Sequence, residues 1–572
     1  MKNFLGRIFF IFCRINKVHL IWLALVLLTM LVLAILHHRW HHYENKLRLW
    51  KNLCFIPMLI TTVHYFIYIR GFPDFMTIFT PMYLIAVIAL LPMLCAGNQK
   101  AYKVTSTICG VLTVVFSVHF LNSMNDPYNF SRMSYTRSFH ALVREMDRSY
   151  VLKEWKEIDF NALEAKYMPL IKNAEQENDP AKFADTVTMF CNELHDGHIF
   201  VAENYDHEKY PPTQILRDHG LSMVQLDNGD IIAVCTDVSV HKLGIKDGTV
   251  ITEWNGKPVL QAAAEDVPDE GVSVKANGDR LALFDLAAYG AETVEVTFID
   301  SSGKEKTVSL PAIENEHTLD DAYNAFLHIP KHRSEMYSSN FSTKMLNDKC
   351  GYLKLCAETT GGVISDELAF FKGESRDSME MFRKKLRKLK DQGMEYLVID
   401  LRNNMGGYDE IGCALCGLLT NEDRYAEGVG YRKNGKYIRT AYHNIRGDGE
   451  FADLNVVALT NLNCVSAGDV TAALLSKLPN VTLAGITDPN GSGQMTGGVC
   501  ALSKGQVVVS YPVGLTINEN GEPDTDPRAD RISRDPVAVR IPLDYEAAMK
   551  IFRDKEDYEL DWAVKYLEKS AN

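Results

Sequence analysis

The stretch that most limits what this chain can fold into is Leu20–Leu36, a nearly unbroken apolar run preceded by Arg7, Arg14 and Lys17. Three more apolar stretches follow, Leu53–Ile69, Ile78–Cys95 and Val104–Phe120. Each is about long enough to cross a hydrocarbon core of ~30 Å as a helix. The first is too long, and too closely followed by others, for a cleaved signal peptide. Runs apolar all round are not the pattern of amphipathic core helices. Residues 1–125 are therefore expected to form an all-α membrane region of about four spanning helices. Lys and Arg occur in the N-terminal tail and again at Arg39, Lys46, Arg48 and Lys51, so the positive-inside rule gives no orientation. An even number of spans puts the N-terminus and the large C-terminal part on one side.

Beyond residue 125 the pattern changes three times. Over 126–208 the apolar positions Phe139, Leu142, Val143 and Met146, then Leu163, Tyr167, Leu170 and Ile171, recur at helical spacing, which predicts a helical subdomain. It ends in Asp196-Gly197-His198, a turn between a helix and a strand. Residues 209–315 read as a small β-rich unit. Residues 316–572 alternate strand and helix: Gly351–Leu355, Tyr396–Leu401, the helix Asp409–Leu419, then Val456–Leu459. That alternation predicts layered α/β architecture.

The formal charge of −13 argues against a nucleic-acid partner, which wants a basic face. The 12 cysteines are thinly spread and several have apolar neighbours, such as Val234-Cys235 and Leu355-Cys356, the habit of buried thiols more than of a disulfide framework. Cys413 and Cys416 form one C-x-x-C inside an apolar helical run, with no second pair at zinc-ribbon spacing, so core packing is favoured over metal.

Val456–Ala472 carries the chemistry. A short strand runs into a polar turn, the small step Ser466-Ala467-Gly468 follows, and an apolar helix begins. Such a turn can present one hydroxyl where backbone N–H groups and the positive end of a helix dipole converge. Acyl transfer needs that arrangement for the charge that develops on the substrate oxygen. Ser466 is thus a candidate nucleophile. Read by itself, the stretch is more readily an N-cap serine on a core helix.

A strand, then Asp400-Leu401-Arg402-Asn403-Asn404-Met405-Gly406-Gly407, a helix, and later a strand running into Val465-Ser466-Ala467-Gly468-Asp469 closely resembles the serine peptidase family of C-terminal processing (tail-specific) and tricorn core proteases. The resemblance covers roughly Tyr135 to Leu567. It implies a crotonase/ClpP-like α/β peptidase domain, with Ser466 as nucleophile and backbone amides of Gly406, Gly407 and Ala467 as the oxyanion hole. Bacterial members place a lysine in a G-K-G turn. Here the matching turn is Gly491-Ser492-Gly493, and Lys504 lies too far along, so a Ser–Lys dyad is set aside. The tricorn-like branch uses a histidine from the helical segment and an acid near the C-terminal end. By that resemblance His198 is the base, with His195 its competitor. Asp530 is the acid, with Asp526 and Glu519 as alternatives, each equally a turn former.

Leu243-Gly244-Ile245-Lys246-Asp247-Gly248 and Asn255-Gly256-Lys257-Pro258-Val259 resemble the PDZ signature, with Asp247-Gly248 in inverted order and a long insertion, Gln261–Leu286. A PDZ-like module implies capture of an extended polypeptide, such as a substrate's C-terminus, along a sheet edge. The expectation is a multi-pass membrane-anchored serine endopeptidase, its peptidase domain extracytoplasmic, calling for no metal or organic cofactor. The alternatives are a catalytically inactive peptide-binding pseudoprotease, a cysteine hydrolase using Cys464, and an acyl-CoA enzyme sharing the fold.

Overall fold

The computed structural model describes the chain except residues 1, 15–16, 70–74, 97, 124–125, 212–215, 290–291, 314–316, 331–338, 529 and 571–572. Two mixed sheets organise the part after residue 125. One runs Val539–Arg540, Val481–Gly485, Asn455–Leu459, Tyr396–Asp400, Cys350–Leu355, Phe341–Met345. All neighbours are parallel except the last pair. Tyr396–Asp400 is buried at every position, as a central parallel strand covered on both faces must be.

One face is covered by the helices Arg376–Asp391, Asp409–Leu418 and Ala467–Ser476, through a core that includes Leu353, Leu386, Leu415 and Leu474. The other face packs on Phe284, Phe326, Phe552 and Leu567. Cys413 and Cys416 lie in the first of these layers as buried free thiols. Asp400 and Arg402 staple the sheet to the C-terminal helix. Arg402 sits 2.9 Å from Asp400, 2.7 Å from Asp557 and 3.2 Å from Glu559. The Arg402 and Lys354 cations hold the Asp400 carboxyl well below the usual range, against its burial.

The second sheet runs Asp126–Asn129, Gln494–Leu502, Val507–Ile517, Arg424–Lys433, Lys436–Ile445, with Phe200–Glu203 also paired to Val507–Ile517. The helices Tyr135–Ser149, Phe160–Glu177 and Pro180–Asn192 pack on it, as their periodicity predicts. A β-rich unit from Leu216 to Ile313 holds a two-stranded and a four-stranded sheet around its own core, with Trp254 and Phe298 inside. The long insertion Gln261–Leu286 becomes two helices, Val259–Asp266 and Lys275–Leu286, joined by a link that reaches the peptidase part.

The described residues do not support the expected four spanning helices. Among the described residues only Lys17–Trp40 is long and apolar enough. The second stretch breaks into Ile56–His64 and a π-turn, Tyr65–Ile69. The third divides into Phe75–Ile88 and Leu91–Leu94, the latter starting beside Pro92. The fourth lies in one helix, Gln99–Ser123, but Thr and Ser recur along it and dilute its hydropathy. The composition of Lys17–Trp40 suits a membrane anchor and a signal sequence alike.

Candidate active site

Ser466 precedes the helix Ala467–Ser476 with φ +58° and ψ −131°, and its side chain makes no capping hydrogen bond. A non-glycine residue held there stores about 1–3 kcal/mol, a cost met where the backbone is constrained from outside. The constraint comes from two loops. The Ser466 N–H donates to the Ser492 carbonyl at 3.0 Å, and the Val465 N–H to the Asn404 carbonyl at 2.9 Å. The serine is half-buried, so its hydroxyl stands at an accessible sharp turn and does not close the helix.

Gly406, at φ +77°, abuts that turn. A Cβ there would lie 2.5 Å from Ser466 Cβ and 2.8 Å from the Ala467 nitrogen. Its own N–H is already given to Asn404 Oδ1 at 2.8 Å. The N–H groups of Gly407 and Ala467, in contrast, have no acceptor among the described residues. Gly407 is pressed against the Glu358 carbonyl, 2.2 Å from where a Cβ would stand. The Glu358 side chain is buried beneath the same loop, accepting from Asn404 Nδ2 at 3.4 Å. Burial pushes its pKa to about 8, so at neutral pH it is a neutral acid.

Asp469, the last residue of the Ser466 motif, accepts from the Ser492 N–H at 2.6 Å and pins the 491–493 loop to the helix. Its burial also raises its pKa to about 8, against the pull of the Ser492 and Gly491 amides. The same loop receives His198. In the Asp196-Gly197-His198 turn, Asp196 accepts from the His198 N–H at 2.9 Å and from the Tyr150 hydroxyl at 2.8 Å. Gly197 has no room for a side chain: a Cβ would sit 2.0 Å from Asn490 Oδ1 and 3.3 Å from Ser492 Cβ. Both Ser466 and the His198 turn therefore lean on residues 490–492.

His198 is buried, and its Nδ1 is without a hydrogen-bond partner among the described residues. Burial holds its pKa below the ordinary value, with Asp196 and Gln494 acting the other way. No hydrogen bond joins it to Ser466 among the described residues. His195 is turned elsewhere, 3.1 Å from Arg531 Nη1 and 3.6 Å from Asp269.

Among the three acids considered from sequence, Asp530 is exposed and accepts from the Ile532 N–H at 3.3 Å, a turn contact that leaves it outside the His198 environment. Glu519 is exposed as well. Asp526 is buried, 3.3 Å from Lys156. Burial raises its pKa well above the carboxylate range, Lys156 opposing. Gln494 interacts with both Asp526 and His198. The segment carrying Asp526 lies over the 491–493 loop, where a Cβ on Gly493 would meet Thr525 Oγ1 at 1.7 Å and one on Gly491 would meet Pro527 at 2.9 Å. Gln494, Asp469, Asn404 and Glu358 are the site's unforeseen residues. Asn404 and Asp469 stand inside the two quoted motifs and Gln494 directly follows the Gly491-Ser492-Gly493 turn, so these had a sequence signal; Glu358 had none.

Cys464 is fully buried, which pushes its thiol pKa far up and keeps it protonated. A set of metal-ligand types, Asp409, Glu427 and His443, has its atoms within 4.8 Å of one another. Both ring nitrogens of His443 are already engaged, Nδ1 with Glu427 at 2.7 Å and Nε2 with Glu410 at 2.8 Å. This is the geometry of a buried ion-paired cluster.

The β-rich unit touches this site. The Gly197 N–H donates to Ser273 Oγ at 2.9 Å, and Asn277 Nδ2 donates to the Asp488 and Pro489 carbonyls at 3.2 and 3.3 Å.

Residues 350–529 match the profile of peptidase family S41. No curated protein sequence matches the chain. The crystal structure of mature CPAF superposes with a TM-score of 0.50 at 14% identity, covering 75% of this chain and 95% of that one, and shows the shared fold. The photosystem II D1 C-terminal processing protease aligns at 17% identity over 74% of this chain and 98% of its own, TM-score 0.32. The tricorn protease aligns at 13% identity over 76% and 37%, TM-score 0.32. Residues 350–529, which hold Ser466 and the Gly406-Gly407 loop, are thus similar to the serine peptidases of family S41.

Proposed function

We propose that this chain is a membrane-anchored endopeptidase in which Ser466 attacks the scissile carbonyl and His198 takes its proton, later giving it to the leaving amine. The observation that carries the reading is the strained, uncapped backbone of Ser466 wedged against Gly406. The unpaired amides of Gly407 and Ala467 receive the oxyanion, an effect worth roughly 3–4 kcal/mol per donor in other hydrolases. Gly406 shapes the loop and does not donate. Asp526, with Gln494 between it and the imidazole, takes the acid's place expected of Asp530, holding the tautomer through Gln494. A neutral imidazole is the form a general base needs, and burial favours it here.

The substrate is a polypeptide whose end docks on the PDZ-like unit, residues 209–315. That unit touches the His198 turn through Ser273, so peptide capture and catalysis share a contact. Lys17–Trp40 is the bilayer anchor, with the peptidase domain extracytoplasmic. Cleavage of an unstructured polypeptide by the purified protein tests the reading: Ser466→Ala should abolish it, and undiminished cleavage would end the proposal. The absence of a Ser466–His198 hydrogen bond among the described residues favours a second reading, a peptide-binding pseudoprotease. Saturable peptide binding with no cleavage by the wild type would decide for it.

A further inference from the structure

The helix Lys2–Arg14 lies on Lys436–Ile445, the edge strand of the second sheet. Asn3 pairs with the strand backbone in both directions at Tyr442, its Nδ2 donating to the carbonyl and its Oδ1 accepting from the N–H, each at 2.9 Å. Gly6 permits the approach, since a Cβ there would fall 1.9 Å from the Thr440 carbonyl oxygen. Phe10 is fully buried against Val429 and Ala441. Covering an exposed edge is common protection for a sheet. Arg7 does more than cover it.

Arg7 is fully buried. It donates to Glu410 Oε1 at 2.5 Å, to the Phe370 carbonyl, and to the Tyr442 carbonyl at 3.2 Å, with its guanidinium 5.0 Å from the Phe370 ring centre. Glu410 in turn accepts from His443, which also reaches Glu427. Asp409, 3.9 Å from His443, completes the cluster. Burial, and then the neighbouring carboxylates, keep Asp409 protonated. Burial and Arg7 lower the pKa of His443, but Glu410 and Glu427 outweigh them and raise it. Glu410 is held between the Arg7 guanidinium and the His443 ring. Without Arg7, one buried carboxylate has no counter-charge, the situation that makes breaking a buried pair costly.

Glu410 lies in the first turn of the helix that leaves the Gly406-Gly407 loop. That helix packs tightly on the Ser466 helix, with a Cβ on Gly412 meeting Thr471 Oγ1 at 1.8 Å. We propose that Arg7 is a positioning residue and the N-terminal helix a latch: docked, Arg7 neutralises Glu410 and holds the Gly406-Gly407 loop against Ser466, and undocked, that loop is released. This rests on the serine-peptidase reading of Ser466. Because the latch is followed in the chain by the apolar helix Lys17–Trp40, displacement of that helix relative to the peptidase part would switch the site.

Two readouts on the full-length protein in detergent test the latch: hydrogen exchange over residues 404–412, and the rate of fluorophosphonate labelling. Arg7→Met should speed exchange there and slow labelling by roughly tenfold or more, within the range common for coupling between sites. The double variant Arg7→Met/Glu410→Gln removes both charges and should recover both readouts, whereas a role limited to packing would gain nothing from Glu410→Gln. Unchanged exchange and labelling in Arg7→Met, or no recovery in the double variant, would overturn the proposal. If Arg7→Met does not fold, the double variant decides alone, by whether it folds and labels. If the wild type is not labelled, the serine-peptidase reading fails, while exchange still decides whether Arg7 orders the loop.

Discussion

Burial disfavours a charged imidazole more than a neutral one, and that governs how His198 titrates. Its pKa lies below the ordinary 6.5, so the neutral form persists as pH falls through neutrality. The acidic limb of kcat/KM is therefore expected below pH 6.5, and a limb centred above pH 7 would count against His198 as base. The acids give a paired test. Asp526→Asn should lower kcat by a factor of about 10²–10⁴, the range of general acid–base effects. Asp530→Asn, at an exposed turn, should leave both kcat and stability within about 0.5 kcal/mol of wild type. Equal effects of the two substitutions would refute the placement of Asp526. The contrast also shows what was legible. Ser466, Gly406 and Gly407 stand in short motifs at the ends of buried strands, so local turn chemistry points to them. Gln494 meets His198 and Asp526 only through contacts between distant segments, and no local pattern separates Asp526 from Asp530 four positions on. Distance along the chain to the final strand favoured Asp530, the exposed one of two turn-forming aspartates, over the buried Asp526.

At the scale of elements, the site is two strand-to-helix turns pressed together and a third turn laid against them. Strand and helix alternation made the first two readable, because a fully apolar strand such as Tyr396–Asp400 leaves few other roles. Their contact is unforgiving. Gly406→Ala adds a methyl 2.5 Å from Ser466 Cβ at a positive φ, so the loop must shift. Activity should fall by at least roughly a hundredfold, the scale of losing one oxyanion donor, with a smaller loss of thermal stability. Near-normal kcat in Gly406→Ala would show that the loop does not shape the site. The Asp400–Arg402 pair within the same motif has a different task. It ties the sheet to Asp557 and Glu559, a role the motif alone did not announce.

At the scale of the molecule, hydropathy overstated the membrane region, because it counts apolar residues without seeing where helices break or which polar side chains dilute them. Among the described residues one helix, Lys17–Trp40, stands as a candidate span. Leu28→Lys together with Leu31→Lys, both on its exposed face, should release the protein from membranes on alkaline extraction, since each lysine at a span's centre costs about 2.5–3.5 kcal/mol. Full retention would mean that other segments hold it. The whole molecule then brings residues 196–198 and 464–469 to one loop at 490–493, with the remote stretch 404–407 packed on residues 465–467. The measurement that tests this convergence most directly is fluorophosphonate labelling of the full-length protein, with the modified residue located by mass spectrometry. The account predicts a single adduct on Ser466, lost in Ser466→Ala and formed far more slowly in His198→Ala. An adduct on another residue, or labelling of Ser466 at an unchanged rate without His198, would contradict it.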